Sequence, residues 1–327
     1  MLFCAQQPIK RSDMSEEEGL QKPGARSHIT VPGYRVRKAK LEDLEAMNRL
    51  QEETHFDVGL HNLQLYLQSS PETFHVIEKD NGELVAFDSY NKLPNGVYMG
   101  FQIVVRSDER GKGITRMFNS MSYATFPCMG NATNDSIKRY RFDIWATKLT
   151  GRWLCVSNPA LFVESMKKSD KFQISNLTKQ FLPQVLSFDK QVLSLDRSAF
   201  LTEWLFPTSC DPIKTVRSLV ALDDQNELLG YGSVRLFSSY WSIGPLYANS
   251  GSIADCLLRR LASTMEIGSY LYFHTNASNR TSLSFAHEFG FIPLSHEVRC
   301  CDRIAYERVE RRIDWSKVYS VHEFWPA

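Results

Sequence analysis

Hydrophobic positions along this chain change period in a fixed order, and the order occurs twice. Tyr34 and Val36, and later Phe172 and Ile174, alternate with polar residues, which predicts a short strand buried on one face. The spacing then lengthens to three and four. Leu44, Met47 and Leu50 in the first segment, and Leu182, Val185 and Phe188 in the second, mark the buried stripe of a helix. Pro183 would shift the start of the second helix or kink it. Next come TFHVIEKDNGELVAFDSY and SLVALDDQNELLGYGSV, each a strand, a tight turn and a strand, turning at Asp80-Asn81-Gly82 and at Asp223 to Asn226. An apolar strand follows in each, VYMGFQIVV and YWSIGPLYA, then a loop and a helix. Ile114, Met117, Met121 and Thr125 stripe the first of these helices; Ile253, Leu257, Leu261 and Met265 stripe the second. RYRFDIWA and SYLYFHT are the strands that close each set.

The repeat predicts two units: a polar leader over residues 1–30, a first domain over 31–170 and a second over 171–327. Hairpins in the middle of each unit imply a mixed, mainly antiparallel central sheet flanked by helices, an α/β (mixed α+β) fold. That disfavours a parallel dinucleotide-binding sheet.

Composition narrows the function classes. The 327 residues are 43% hydrophobic and 23% charged, with 38 Lys plus Arg against 37 Asp plus Glu, so nothing global attracts nucleic acid. No apolar run reaches a membrane-spanning length, so no membrane contact is expected. The seven cysteines form no CxxC pair; reduced thiols and no metal are expected, in a cytoplasmic setting. The aromatic-rich WSKVYSVHEFWPA is expected to dock as a strand or cap.

The sharpest chemical signal is VVRSDERGKGI, residues 104–114. A strand ends, a charged turn follows, and two glycines open a helix. Gly111 and Gly113 let backbone N–H groups approach a ligand, and Arg110 and Lys112 add positive charge, a pattern suited to a phosphate or pyrophosphate. Neither a Walker loop nor a GxGxxG fingerprint is present.

This strand and loop, with the order of elements around them, resemble the acetyl-CoA loop of the GNAT acetyltransferases. Arg110 and Gly113 match that family's pattern, and Thr115 stands where glycine or alanine is usual. The resemblance implies that Ile103, Val104 and Val105 offer backbone groups to the pantetheine arm, and that Arg110, Gly111, Lys112, Gly113, Ile114 and Thr115 hold the pyrophosphate of acetyl-CoA. The second segment is similar to the family at a later point, NRTSLSFAHEFGF, residues 279–291, but has Ala286 where a tyrosine often serves as acid, and YANSGSIADCL in place of the arginine-glycine loop. The whole resembles tandem GNAT proteins whose C-terminal part is YitH-like, on the runs Asp189 to Arg197 and Gly244 to Ala248. Acetyl-CoA is therefore expected in the first half only.

The implied reaction is direct attack of a primary amine, of a small molecule by preference, on the thioester. An amine must lose a proton to attack, so a base is required. Strand VYMGFQIVV holds no carboxylate. Asp88 on the preceding strand is the candidate base, and Tyr98 the candidate acid. Gln102, four residues on and so on Tyr98's face in a regular strand, is a candidate substrate contact, with His55, Tyr247 and His274. A protein or peptide amine is the alternative acceptor. A non-catalytic acyl-CoA sensor is the competing class, motivated by Thr115, Ala286 and the missing strand carboxylate.

Overall fold

The structure, a computed structural model, describes residues 29–54, 58–119, 126–132, 145–156, 171–208, 210–276 and 278–321. The first half supplies β1 (Tyr34–Lys38), α1 (Leu44–Thr54), α2 (Leu60–Ser69), β2 (His75–Lys79), β3 (Leu84–Lys92), β4 (Tyr98–Val105), α3 (Arg116–Asn119), β5 (Cys128–Ala132) and β6 (Trp145–Val156). The second half supplies β7 (Gln173–Asn176), α4 (Leu182–Leu193), α5 (Ser198–Leu205), α6 (Pro212–Thr215), β8 (Val216–Leu222), β9 (Leu228–Leu236), β10 (Tyr240–Ala248), α7 (Gly251–Ala262), β11 (Tyr270–Asn276), α8 (Arg280–Glu288), β12 (Ile292–Cys301), α9 (Arg303–Arg308) and β13 (Val318–Ser320). Pro183 lies in the first turn of α4, where a missing N–H costs nothing, so the helix runs on to Leu193.

One continuous sheet runs β1-β2-β3-β4-β5-β12-β6-β11-β10-β9-β8-β7, with β13 added beside β10. The two halves exchange their late strands. β12 pairs with β5 of the first half, and β6 pairs with β11 of the second. The two meet antiparallel in the middle, Val298 opposite Leu149. A cut near residue 170 would therefore strip each half of a strand that the other half supplied.

The halves match register for register. Val36, Ile77, Ala86 and Val105 form a row across β1 to β4, and Ile174, Ala221, Gly230 and Ala248 form the same row across β7 to β10. Both rows meet the same irregularity: β4 gains one residue on β3 between Gly100 and Gln102, and β10 gains one on β9 between Ile243 and Leu246.

The cores divide by face. On one face α1, α2, α4 and α5 share a single core that includes Met47, Leu50, Tyr66, Phe188, Phe200 and Trp204. Tyr66 stacks on Phe200 across the halves, centroids 5.9 Å apart. Arg235 of β9 joins them too: it donates to Asn62 Oδ1 on α2 and to the Trp204 carbonyl at 2.6 Å, and its guanidinium lies 4.4 Å over the Trp204 ring. On the other face each half keeps its own core, Ile114, Met117 and Phe118 over Ile77 and Ala86, and Leu257 and Leu261 over Ala221 and Leu246.

Candidate functional site

The loop after β4 is held by one carboxylate. Glu109 is 1% exposed and takes a hydrogen bond from Tyr34 Oη at 2.6 Å and from Lys112 Nζ at 2.8 Å. Lys79 Nζ reaches it at 2.8 Å and Arg106 at 3.2 Å. Lys112, then Lys79 and Tyr34, hold its carboxyl down at about 2, so it stays ionised throughout the working pH range. The cations expected to face a ligand are thus partly engaged. Lys112 sits on Glu109, and Arg110 Nε donates to the Val105 carbonyl at 3.1 Å.

The backbone of the loop remains available. Gly111 and Gly113 take φ of +82° and +76°, the left-handed region, and a Cβ at either would meet nothing within 4 Å. Among the described residues no acceptor takes the N–H of Gly111, Lys112, Gly113, Ile114 or Thr115. Consecutive backbone donors without an acceptor among the described residues, in a glycine turn, are an arrangement suited to an anion. The Ile114 side chain is buried in the core beneath, so that residue can offer only backbone to a ligand, and Thr115 is exposed.

β4 and β5 then diverge. They pair in parallel only at Tyr98 with Cys128 and Met99 with Met129. Past Met99, the edge of β4 that holds Ile103, Val104 and Val105 has no strand beside it among the described residues, and Ile103 is 36% exposed. Among the described residues this leaves a gap, the first cleft, between β4 and β5 beyond Met99.

The second half has the same cleft and fills it. β10 and β11 pair from Tyr240 to Ile243 and then diverge. Into the gap goes β13, with Leu246 and Tyr247 of β10 opposite Ser320 and Val318. Ser320 Oγ donates to the Ile243 carbonyl at 2.8 Å, and Val321 N–H donates to the His274 carbonyl at 3.1 Å. The Asn279 side chain donates to the Val318 carbonyl at 2.9 Å. Of the aromatic-rich C-terminal run, Val318–Ser320 docks as a strand, and residues 322–327 lie outside the described residues.

The structure redistributes the candidate side chains. The extra residue at Phe101 turns β4 over, so Tyr98 and Gln102 lie on opposite faces, contrary to the four-residue spacing. Tyr98 is half-buried against Phe126, centroids 4.8 Å apart. Gln102 is buried on the α1 side, where its carbonyl accepts from the Gln51 amide. Asp88 is fully buried and paired across the hairpin with His75, Nδ1 to Oδ1 3.1 Å. Its Oδ2 has no hydrogen-bond partner among the described residues. Burial pushes its carboxyl up to about 6, against the opposing pull of His75. Counting outward from the turn at Asp80 to Gly82 pairs residue 75 with residue 87; the register shift between Ile77 and Glu78 moves Asp88 opposite His75, so the pair was not legible in the sequence. Glu109 carried no signal either; it stood as one acid in a charged run.

Tyr247 and His274 belong to β10 and β11. Both are buried in the second half: Tyr247 accepts from Arg197 at 3.1 Å in a cluster with Asp189 and Tyr231, and His274 lies under β13. His55 lies outside the described residues. Among the described residues no group of His, Cys, Asp and Glu could hold a metal ion, and no helix is long and apolar enough to cross a membrane.

Comparison with known proteins agrees with this architecture. Residues 185–320 match the family model of an acetyltransferase (GNAT) domain. The chain is 18% identical to the holothin acyltransferase of Pseudoalteromonas sp. (strain SANK 73390), over 80% of this chain and 85% of that one. A solved Pyrococcus horikoshii protein described as an acetyltransferase superposes with a TM-score of 0.66 at 16% identity, covering 92% of this chain and 98% of its own. A tandem GNAT protein of the clavulanic acid biosynthesis pathway gives 0.60 at 12% identity, covering 82% and 98%. The family match falls on the half whose cleft is closed, while the open loop and cleft belong to the other. The chain thus shares the fold of these solved GNAT proteins, and its residues 185–320 match the GNAT acetyltransferase domain model.

Proposed function

We propose that the protein is an acyl-CoA-dependent N-acyltransferase with one CoA site per chain, in the first half. The observation that carries this reading is the contrast between the clefts: among the described residues the first has five backbone N–H donors without an acceptor and a strand edge without a neighbour, and the second is occupied by β13. In this reading the N–H groups from Gly111 to Thr115 hold the pyrophosphate. The free edge at Ile103, Val104 and Val105 carries the pantetheine amides. Arg110, released from the Val105 carbonyl, turns to the phosphates. The second half, YitH-like in its Asp189 to Arg197 run, is scaffold: it lends β12 to the first half and braces α1 and α2.

Chemistry would proceed without an acyl-enzyme. The neutral amine attacks the thioester carbon, a C–N bond forms and the C–S bond breaks. One amine proton passes to the Asp88–His75 pair through His75 or water, and CoA leaves as thiol after taking a proton, with Tyr98 its nearest candidate donor. The backbone freed at the Gly100–Phe101–Gln102 irregularity faces the developing oxyanion. A primary amine of a small molecule is the acceptor we favour, with acetyl-CoA among the donors and the cytoplasm as the setting.

The test is thiol release from acetyl-CoA against a panel of small primary amines and amine-terminal peptides. The reading expects turnover with at least one small amine, lost in an Arg110→Ala, Lys112→Ala double variant. CoA binding without turnover for any amine would favour the sensor reading, and turnover with peptides alone would move the acceptor to that class.

A further inference from the structure

The matched registers of the two halves allow a position-by-position comparison around the cleft apex, on the face away from α1 and α2. In the second half that face is an apolar core. Its row holds Leu219, Gly232 and Leu246, and the next holds Val234, Ile243 and Phe273. Ile243 and Phe273 are both 0% exposed. The matching residues in the first half are His75, Asp88 and Ile103, then Tyr90, Gly100 and Gly130. Two side chains that fill the second half's apex are absent from the first. An isoleucine and a phenylalanine are replaced by a pair of glycines on adjacent strands.

Backbone geometry does not require these glycines. Neither has the positive φ that favours glycine, so any residue could adopt their conformation. Nor does crowding require them. A Cβ at Gly130 would meet nothing nearer than the Gly100 backbone at 3.9 Å, and one at Gly100 would touch the Tyr90 ring at 3.5 Å and the Met129 carbonyl at 3.6 Å, ordinary contacts. Glycine inside a strand weakens it and marks a place where something else approaches closely. The pair stands where β4 and β5 part, one step beyond Met99 and Met129. On the same face lie the Tyr90 ring, Tyr98 in tilted contact with Phe126, and Ile103, so the described neighbours of the glycine pair are aromatic and apolar.

From this we infer that Gly100 and Gly130 form the floor of an acyl subsite that takes a thioester chain longer than acetyl, of about four to eight carbons, between Tyr90 and the Tyr98–Phe126 pair. The inference rests on the proposed CoA site and names the donor class for it. Gly100 and Gly130 put no side chain in the places of Ile243 and Phe273, and a medium-length chain would supply the contacts there that an acetyl group is too short to make. The two glycines are thereby specificity residues for the acyl donor, and the dyad of His75 and Asp88 is the polar end of the same face.

The test is calorimetric binding of free CoA, acetyl-CoA, butyryl-CoA, hexanoyl-CoA and octanoyl-CoA to the full chain. Variants are Gly130→Val and the milder Gly130→Ala. Wild type is expected to bind hexanoyl-CoA at least about tenfold more tightly than acetyl-CoA, since four buried methylenes provide ample driving force. Gly130→Val should abolish that preference while changing the affinity for free CoA less than about threefold, and Gly130→Ala, which adds one methyl group and keeps the fold, should reduce it partway. A wild type that binds CoA but prefers acetyl to every longer chain overturns the inference and leaves the CoA site standing. So does a preference that both variants retain. If neither CoA nor any thioester binds wild type, the CoA site and the subsite fall together.

Discussion

The two clefts share strand order, register and even the extra residue that breaks the sheet, and they differ in what occupies them. In the second half β13 lies between β10 and β11, tied by Ser320 and Asn279 to the strands and helix around it, and the face behind is filled by Ile243 and Phe273. In the first half no described residue lies in the matching gap, the apex carries Gly100 and Gly130, and a buried His75–Asp88 pair replaces Leu219 and Gly232. One half spends its sequence on a closed apolar core. The other places polar and side-chain-free positions where packing alone would ask for aliphatic ones. Such violations of packing logic concentrate at functional sites.

The comparison can be broken first by stability. Phe273→Ala opens a cavity in a packed core and should cost about 3–5 kcal/mol. Gly130→Ala at the matched position should change stability by less than about 1 kcal/mol. Urea midpoints of the two variants measure this, and equal losses would mean that the first half's apex is packed as tightly as the second's.

Asp88 should show the next largest effect. Asp88→Asn should lower kcat at least about 100-fold with little change in CoA affinity, within the range of lost acid–base catalysis. Wild-type kcat should rise with pH through about 6, because the carboxyl must be ionised to accept a proton. Stability runs the other way. A carboxyl whose pKa rises from 3.8 unfolded to about 6 folded contributes stability that is full below 3.8 and is lost as pH rises to about 6. At pH 7 that burden is of the order of 3 kcal/mol, so Asp88→Asn should melt higher than wild type there and lose that advantage near pH 4. A lower melting temperature at pH 7 would show that the His75 contact outweighs burial.

Glu109→Gln should be smaller. It removes the charge that draws Lys112, Lys79 and Arg106 together, and CoA affinity should fall about tenfold as the donor turn loosens, equal to about 1.4 kcal/mol. Unchanged affinity would assign Glu109 to stability alone. Tyr98→Phe should be smallest, within about tenfold on kcat, because CoA thiolate is a modest base and needs little help to leave.

Much of the fold was legible because each half repeats its periods. Leu44, Met47 and Leu50 are buried as their spacing predicts, Gly82 and Asn226 make the two turns with positive φ, and Asn279 caps α8 through the Ser282 N–H. The strand exchange left no mark, since β6 and β12 show the same apolar pattern whichever half they join. α2 and α5 were missed because they pack on several elements, α2 on α1 and α5, and α5 on α4 and β8 as well, so neither shows a single-face stripe. In the site, the glycine turn was readable from Gly111 and Gly113. The face of Gln102 was not, because one extra residue at Phe101 reverses every side chain after it. The surroundings of Tyr247 and His274 were not legible either, because only tertiary structure places β13 beside both.

The central proposal is that CoA binds in the first half's gap and not in the second half's, where β13 lies. Titration of free CoA into the full chain tests it most directly, repeated with the Arg110→Ala, Lys112→Ala double variant. The account predicts one molecule bound per chain, with affinity near micromolar, about −8 kcal/mol, and loss of that binding in the double variant. Two molecules per chain, or binding that the double variant retains in full, would contradict it.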